Sequence, residues 1–570
     1  MQTMKHLYLV AILGVILLSC SPQPDNPADT VYLNGTIYTV DDSNPKVEAI
    51  AVKDGLILAL GNSSDMDQYI GQSTQVVDLL GMTMTPGLIE SHAHLMGIGY
   101  NKLELDLMYV KTYDELVEKV AEAVAKAKPG DWITGRGWHQ DKWIEKPEKL
   151  VNGFQTNDQL NEVSPDNPVY LSHASGHASF VNGKALELAG IANLKGERPV
   201  EIEGGEIIVD ELGNPTGILS ERASGLVSRL IPNETPERAA EALTLALQEL
   251  AEKGITSFHD AGSGQDVIDL VDQFKKEGKL TSRMYIMLTG RQPELLEEWY
   301  KKGPMIDEDH LLTVRSIKLN CDGALGNRGA WLLEDYSDRP GHRGHETLPM
   351  SVVTEVSEKA LPLGFQVCSH AIGDRANQEV LDRYEAAFAK NPEIKDHRFR
   401  IEHAQHIDLE DIPRFGEMGV IAAMQAIHLS SDRPWAIDRL GEQRIVDGAY
   451  VWQKLMQSGA VVTNGTDAPV EPVDPIPSFY ASVTRKTLAG TPTEGYEATQ
   501  KMTREEALRS YTLDGAFAEF EEEFKGSLEV GKAADFTVFD KNIMEIPEEE
   551  ILDTKVAMTV VGGKIVFSKE

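Results

Sequence analysis

The feature that most constrains this chain is an alternation. Short apolar runs recur along it: ITSF (255–258), VRSIKLN (314–320), FQVCSH (365–370), RFRIEH (398–403), VIAAMQ (420–425) and VVTNGTD (461–467). Stretches with helical periodicity separate or precede them. The clearest is TPERAAEALTLALQELAEKG (235–254), with Thr235 placed to cap, Pro236 at the first helical position and Gly254 at the stop. TYDELVEKVAEAVAKAK (112–128) reads as another. Strands covered by helices are buried and lose the polar alternation of a half-exposed sheet. Repeated βα units of this kind predict a parallel sheet, and this many predict a (β/α)8 TIM-like barrel.

The two ends of the chain read differently. TVYLNGTIYTV places Asn34-Gly35 between two β-prone runs, and EAIAVKDGLILALG places Asp54-Gly55 between two more, both as hairpin turns. GKAADFTVFD (531–540) and KVAMTVVGGKIVFSKE (555–570) are again strand-like. A few hairpins need partners to be stable, so residues 31–85 and 525–570 are expected to form one composite β-sandwich domain. The barrel is expected over 86–524. Its Gly-, Pro- and Asn-rich stretch at about 130–235 is read as an insertion over the barrel mouth.

Several apolar runs end in residues with metal or proton chemistry. MTMTPGLIESHAH ends in His92 and His94, and VRSIKLNCDG holds Lys318 and Asp322. GFQVCSHAIGD supplies His370 and Asp374, RFRIEHAQH supplies His403 and His406, and VVTNGTDAP supplies Asp467. The C-terminal strand ends of a barrel converge on one face, so these residues can meet despite their separation. Imidazoles and carboxylates suit a borderline cation such as zinc. Two histidines two apart on a strand share a face, so His92 and His94 can reach one ion. Lys318 is the odd member, because an ammonium has no lone pair to offer.

That order, with PGLIESHAH first and GTDAP last, resembles the amidohydrolase superfamily, and in detail amidohydrolase family 3. Supporting stretches include GRGWHQDKW (135–143), SHASGHASFVNGKAL (172–186), GNPTGILSERA (213–223), IKLNCDGALGNRGAW (317–331) and KGSLEVGKAADFTVFD (525–540). The resemblance implies that His92 and His94 hold one metal and that His370 and His403 hold a second. It implies that Lys318, carboxylated on its amine, bridges the two, and that Asp467 touches the first metal and acts as general acid/base. Two zinc ions follow, or one if Lys318 stays a plain lysine. Glu90 stands where the family usually has Asp, outside the implied ligand set. The implied reaction is hydrolysis of a non-peptide carbon–nitrogen, amide-type bond in a small molecule by metal-activated water. A lyase or isomerase on the same metal site, and a lipid-tethered non-catalytic binding protein, remain as alternatives. Possible substrate contacts are His177 and His428, then His173, His259 and Arg485.

Composition narrows the partners. With 54 Lys and Arg against 90 Asp and Glu, the formal charge of −36 argues against nucleic acid. At the N-terminus, Lys5 precedes twelve apolar residues, Leu7 to Leu18. That is too short to span a bilayer and right for an export signal. The run ends in Leu17-Leu18-Ser19-Cys20, which resembles a bacterial lipoprotein box. Residues 1–20 are therefore expected to be a lipoprotein signal with Cys20 as the lipidation site, and 21–30 a Pro-rich linker. The mature protein is expected to face the periplasm or cell exterior, touching a membrane only through its lipid. Cys321 and Cys368 alone make no disulfide framework.

Overall fold

Eight parallel strands form the sheet that the alternation demands, in the computed structural model that describes residues 26–194, 200–232 and 234–569. We number them β1 (Leu88–Ala93), β2 (Ile255–Ser263), β3 (Arg283–Thr289), β4 (Leu312–Asn320), β5 (Gln366–Ala371), β6 (Arg400–His403), β7 (Ile421–Met424) and β8 (Val462–Asn464). Each pairs with the next in chain order. The barrel is nearly closed: beyond β8 the Asp467 amide donates to the His92 carbonyl at 2.8 Å. Ile286, Val314, Ile317, Val367, Ile401 and Ala422 are fully buried in the main apolar core. β3 is the barrel strand that the runs above do not flag. It begins on Arg283 and ends without a metal-binding residue. Helix Pro236–Glu252 starts as its sequence requires, with the Thr235 hydroxyl accepting from the Arg238 amide at 3.2 Å. The expected signal, Cys20 and the first half of the linker (21–25) lie outside the described residues.

Both chain ends contribute to a six-stranded sheet in which Thr83–Pro86 runs antiparallel to Phe536–Phe539. A separate four-stranded sheet contains Thr30–Leu33, Ala49–Lys53, Leu56–Gly61 and Gln75–Asp78. Tyr32, Ile50 and Ile57 from the second sheet share an apolar cluster with Met84, Phe536 and Val560 from the first. The Asp54-Gly55 turn is the expected hairpin, with φ of +52° and +78°. Asn34-Gly35 is not. Thr30–Leu33 and Thr36–Tyr38 lie in different sheets, so this turn carries the chain from one to the other.

The sheet of the inserted stretch starts before residue 130. Seven strands from Leu105 to Glu221 form a sheet of their own. The helix at Tyr113–Val124 belongs to that layer and not to the barrel's alternation: Leu116 and Val120 pack with Trp138, Leu171 and Phe180. Glycines of this Gly-rich stretch serve a strand, Ile133–Trp138. A Cβ on Gly137, at φ +112°, would lie 2.6 Å from the Met108 amide nitrogen. Glycine there permits the close approach that a side chain forbids.

Candidate metal centre

The strand ends bring His92 (β1), Lys318 (β4), His370 (β5), His403 (β6) and Asp467 (after β8) to one end of the barrel. One donor atom each of His92, His403 and Asp467 lie within 4.8 Å of one another. Asp467 Oδ1 is 3.6 Å from His92 Nε2 and 3.2 Å from His94 Nε2. Lys318 Nζ sits 3.4 Å from His92 Nε2, and the His370 ring centroid is 4.4 Å from that of His403. The tightest grouping thus takes members from both of the two-metal sets that the resemblance implied. His94 is more open than the rest, with its side chain 43% exposed.

Buried partners aim these rings. The His92 Nδ1–H donates to the Glu402 carboxylate, which also receives Arg400 Nε at 2.8 Å and Nη2 at 3.0 Å. The His403 Nδ1–H donates to Gln425 Oε1 at 2.6 Å. Both bonds leave Nε2 with its lone pair free, which is the tautomer a metal ligand needs. Glu90 performs a related task for the backbone. Its carboxylate accepts from the His92 amide at 3.1 Å and from the Thr466 amide and hydroxyl at 2.9 and 2.8 Å, tying β1 to the loop that carries Asp467. His403 and Asp467 both have left-handed backbone, with φ of +74° and +57°. Non-glycine residues accept that conformation only where the surroundings enforce it.

Glu402, Arg400, Gln425 and Glu90 are functional residues that motif reading missed or set aside. The available signal was the two charges, Arg400 and Glu402, flanking Ile401 in a run read as a buried strand. Charged residues are fully buried almost only when paired.

Burial drives the His92 imidazole down to about 4, and holds His370 and His403 well below the usual histidine range. All three are therefore neutral near pH 7. Burial also lowers the Lys318 amine. Burial pushes the Asp467 carboxyl up, but the imidazoles of His94, His92 and His403 outweigh it and hold the group well below the ordinary carboxylate range. Among the described residues, two buried atoms at the centre make no well-directed hydrogen bond: His370 Nε2, 3.3 Å from Asp322 Oδ1, and Asp467 Oδ1, 3.2 Å from His94 Nε2. Buried polar atoms are nearly always paired. Neutral imidazoles, an ionised carboxylate and acceptors without a well-directed donor together fit a divalent cation.

A cavity opens from this centre and is lined by His370, His403 and Asp467, then by His177, His428 and Trp435 farther out. Of the expected substrate contacts, His177, His428 and His173 line it. His428 stacks 6.2 Å from His403 and its buried Nε2 has no partner. Both nitrogens of His173 are engaged, Nδ1 by Ser175 Oγ at 2.8 Å and Nε2 by Gln140 Oε1 at 3.2 Å. Burial lowers its imidazole to about 3, which suits a neutral structural ring.

His259 and Arg485 are corrections. His259 is fully buried, taking a hydrogen bond from Arg400 at 2.9 Å and lying 3.3 Å from Glu519, so it serves the network behind His92. Arg485 donates to the Tyr450 and Tyr496 carbonyls at 2.8 and 2.6 Å over the Trp452 face and braces loops. Asp322 likewise spends its carboxylate on the amides of Trp331, Ile372 and Gly373, at 2.8–3.0 Å, which shapes the loop beside His370.

Residues 75–567 match the amidohydrolase family, described by the signature Amidohydro_3. The chain belongs to that family. Members related to this chain include the protein LONG AFTER FAR-RED 3 of Arabidopsis thaliana, 33% identical over 97% of this chain and 94% of that one. The N-substituted formamide deformylase of Arthrobacter pascens is 27% identical over 95% of this chain and 98% of its own. A solved structure of a metal-dependent hydrolase from Pyrococcus horikoshii is 28% identical, with a TM-score of 0.71 over 91% of this chain and 99% of that chain. The family includes metal-dependent hydrolases, and His92, His403 and Asp467 of this chain form a group that could hold a metal ion.

Proposed function

We propose that the protein hydrolyses the C–N bond of an N-acylated, and foremost an N-formylated, small amine. The observation that carries this is the grouping of His92, His403 and Asp467, with His403, Asp467 and His370 lining one cavity. The similarity to an N-substituted formamide deformylase over nearly both whole chains supports the substrate class. A divalent cation bound here, zinc foremost, supplies water that ionises near neutral pH and polarisation of a carbonyl oxygen.

The chain's own residues do the rest. Asp467, ionised and beside His92 and His94, accepts the proton of the attacking water and returns it to the leaving nitrogen. The Glu402 and Gln425 hydrogen bonds keep His92 and His403 in the ligating tautomer. Leu325, Ile372, Trp435 and Val470 give the outer cavity an apolar wall that suits the substituent on nitrogen. Lys318, as a lysine, supports one ion; carboxylated, it would supply the oxygen bridge for two.

We further propose that the two end-built sheets form a composite β-sandwich domain. We propose too that Cys20 is lipidated, so that the protein is tethered at a bacterial membrane facing the periplasm or exterior. Among the described residues no helix is long and apolar enough to cross a membrane. The test of the function is a panel of N-formyl and N-acetyl amines, cyclic amides and ureas, assayed with the metal-loaded and the chelated protein. Release of free amine only by the loaded protein is the expected result. Metal-loaded protein that cleaves none of the panel overturns the reading.

A further inference from the structure

The seven-stranded insertion lines part of the cavity at the metal centre, and one of its contacts there is built with more care than packing needs. His177 begins the edge where Ala178–Val181 pairs with Pro215–Glu221. Its ring centroid stands 5.1 Å from that of His370. Nδ1 is 2.9 Å from Glu221 Oε2, while no hydrogen bond from the described residues reaches Nε2. The ring lines the same cavity as His370, His403 and Asp467.

Glu221 is the informative residue. Its side chain is only 4% exposed, and its backbone sits at φ +51°, ψ −129°, a region that L-residues rarely adopt. The Asn327 amide ties the unit together, donating to Glu221 Oε1 at 2.7 Å and to the His177 carbonyl at 2.9 Å. Two glycines of the loop after β4 make room for the carboxylate. A Cβ on either Gly323 or Gly329 would stand 2.1 Å from Glu221 Oε1. A histidine present only to fill space needs no buried carboxylate behind it, no strained backbone and no glycines cleared for that carboxylate.

We propose that His177 is a catalytic residue. From Nε2 it donates a hydrogen bond to the substrate's carbonyl oxygen and to the oxyanion formed as the attacking water adds, while Glu221 orients the ring and balances its charge. This rests on the amide-hydrolase reading above. His177 keeps its protons throughout, so Asp467 alone carries the proton from water to the leaving nitrogen. The insertion thereby supplies a working part of the site: a donor aimed where charge develops, in a place largely closed to water. Glu221 acts through His177 and is a positioning residue.

The experiment compares wild type, His177→Ala, His177→Gln and Glu221→Gln on the N-formyl substrate that the wild type cleaves best. Metal content, melting temperature and affinity for a tetrahedral phosphonamidate analogue of that substrate are measured in parallel. Losing one oxyanion donor lowers kcat by about 10²–10³. His177→Ala is expected to fall by that factor with KM little changed, and to weaken analogue binding by the same factor. His177→Gln retains a neutral donor and is expected to fall less, as is Glu221→Gln, which keeps the ring and loses its counter-charge. All variants should hold the wild-type amount of metal. Wild-type kcat in His177→Ala overturns the proposal, as does loss of metal from it, which would make His177 a ligand. A fall in kcat with analogue binding unchanged also overturns it. A metal-loaded wild type that cleaves no amide instead overturns the hydrolase reading on which the proposal stands.

Discussion

Replacing Glu402 by glutamine removes one negative charge from a site that is fully buried on every side. The carboxylate receives the Nδ1–H of His92 and two N–H groups of Arg400. Glutamine has one acceptor oxygen. In the place of Oε2 it still accepts from His92 and Arg400 Nη2 and turns its NH2 on Arg400 Nε, and in the other orientation it turns its NH2 on the imidazole. Facing His92, it forces the ring into the other tautomer, with a proton on the Nε2 that should ligate. Loss of such an outer partner typically lowers metal affinity 10–100-fold, which is about 1.4–2.7 kcal/mol. Facing Arg400, it leaves a buried cation without its counter-ion, and breaking such a pair costs about 3–5 kcal/mol of stability. The two effects separate in urea unfolding with and without added zinc. The apo proteins report the ion-pair cost, and the zinc-dependent increment, which follows RT ln(1 + [L]/Kd), reports affinity. Competition against a chelator gives the affinity directly. A Glu402→Gln protein that matches wild type both in zinc affinity, within a factor of two, and in apo stability refutes the claim that this carboxylate orients His92 and pairs with Arg400.

Asp467→Asn should retain the fold and lose roughly 10²–10⁴ in kcat, the usual worth of a positioned acid/base group; near-full activity with metal bound would remove Asp467 from the proton path. Arg283 and Asp535 form a buried pair, at 2.6 and 3.1 Å, between β3 and the residue preceding the C-terminal strand Phe536–Phe539. Asp535→Ala should cost about 3–5 kcal/mol in urea unfolding. His397 lies stacked on Phe388, ring centroids 3.6 Å apart, and burial lowers its imidazole to about 4. Unfolded chain takes a proton near pH 6.5 that folded chain refuses until about pH 4, so this residue makes stability fall as pH drops through that window. His397→Phe should flatten that part of the stability–pH profile, as read by thermal unfolding at a series of pH values. Thr235→Ala should cost about 1 kcal/mol through loss of the helix cap, measured by the same unfolding assay.

The barrel and the candidate ligands were legible because both are written in local pattern. Buried parallel strands produce continuous apolar runs, and a residue such as His370 or His403 at the end of one is conspicuous. What pattern could not supply were relations between distant strands. Glu402 looks like the neighbour of His403, and only the strand's alternation in three dimensions makes it the partner of His92, 310 positions earlier. Glu90 read as a departure from the family's usual Asp, yet it ties His92 to Thr466 across the closure of the barrel. The strands inside the insertion were hidden because glycine has two meanings: by composition Gly135 and Gly137 only set the stretch apart from the barrel's alternation, and in the structure they serve close strand contact. His259 and His173 show the converse limit. A histidine at a strand end is equally a ligand or a hydrogen-bonded brace until its neighbours are known.

The central claim is that His92, His403 and Asp467 form a metal site on which hydrolysis depends. The most direct measurement is metal content per chain by inductively coupled plasma mass spectrometry, on wild type and on the double variant His92→Ala, His403→Ala, paired with amine release from an N-formyl substrate. The account requires at least one tightly held divalent ion per wild-type chain. Its removal by chelation should abolish amine release and its return restore it, and the folded double variant should hold no such ion. Full amine release from wild-type protein stripped of metal would contradict it.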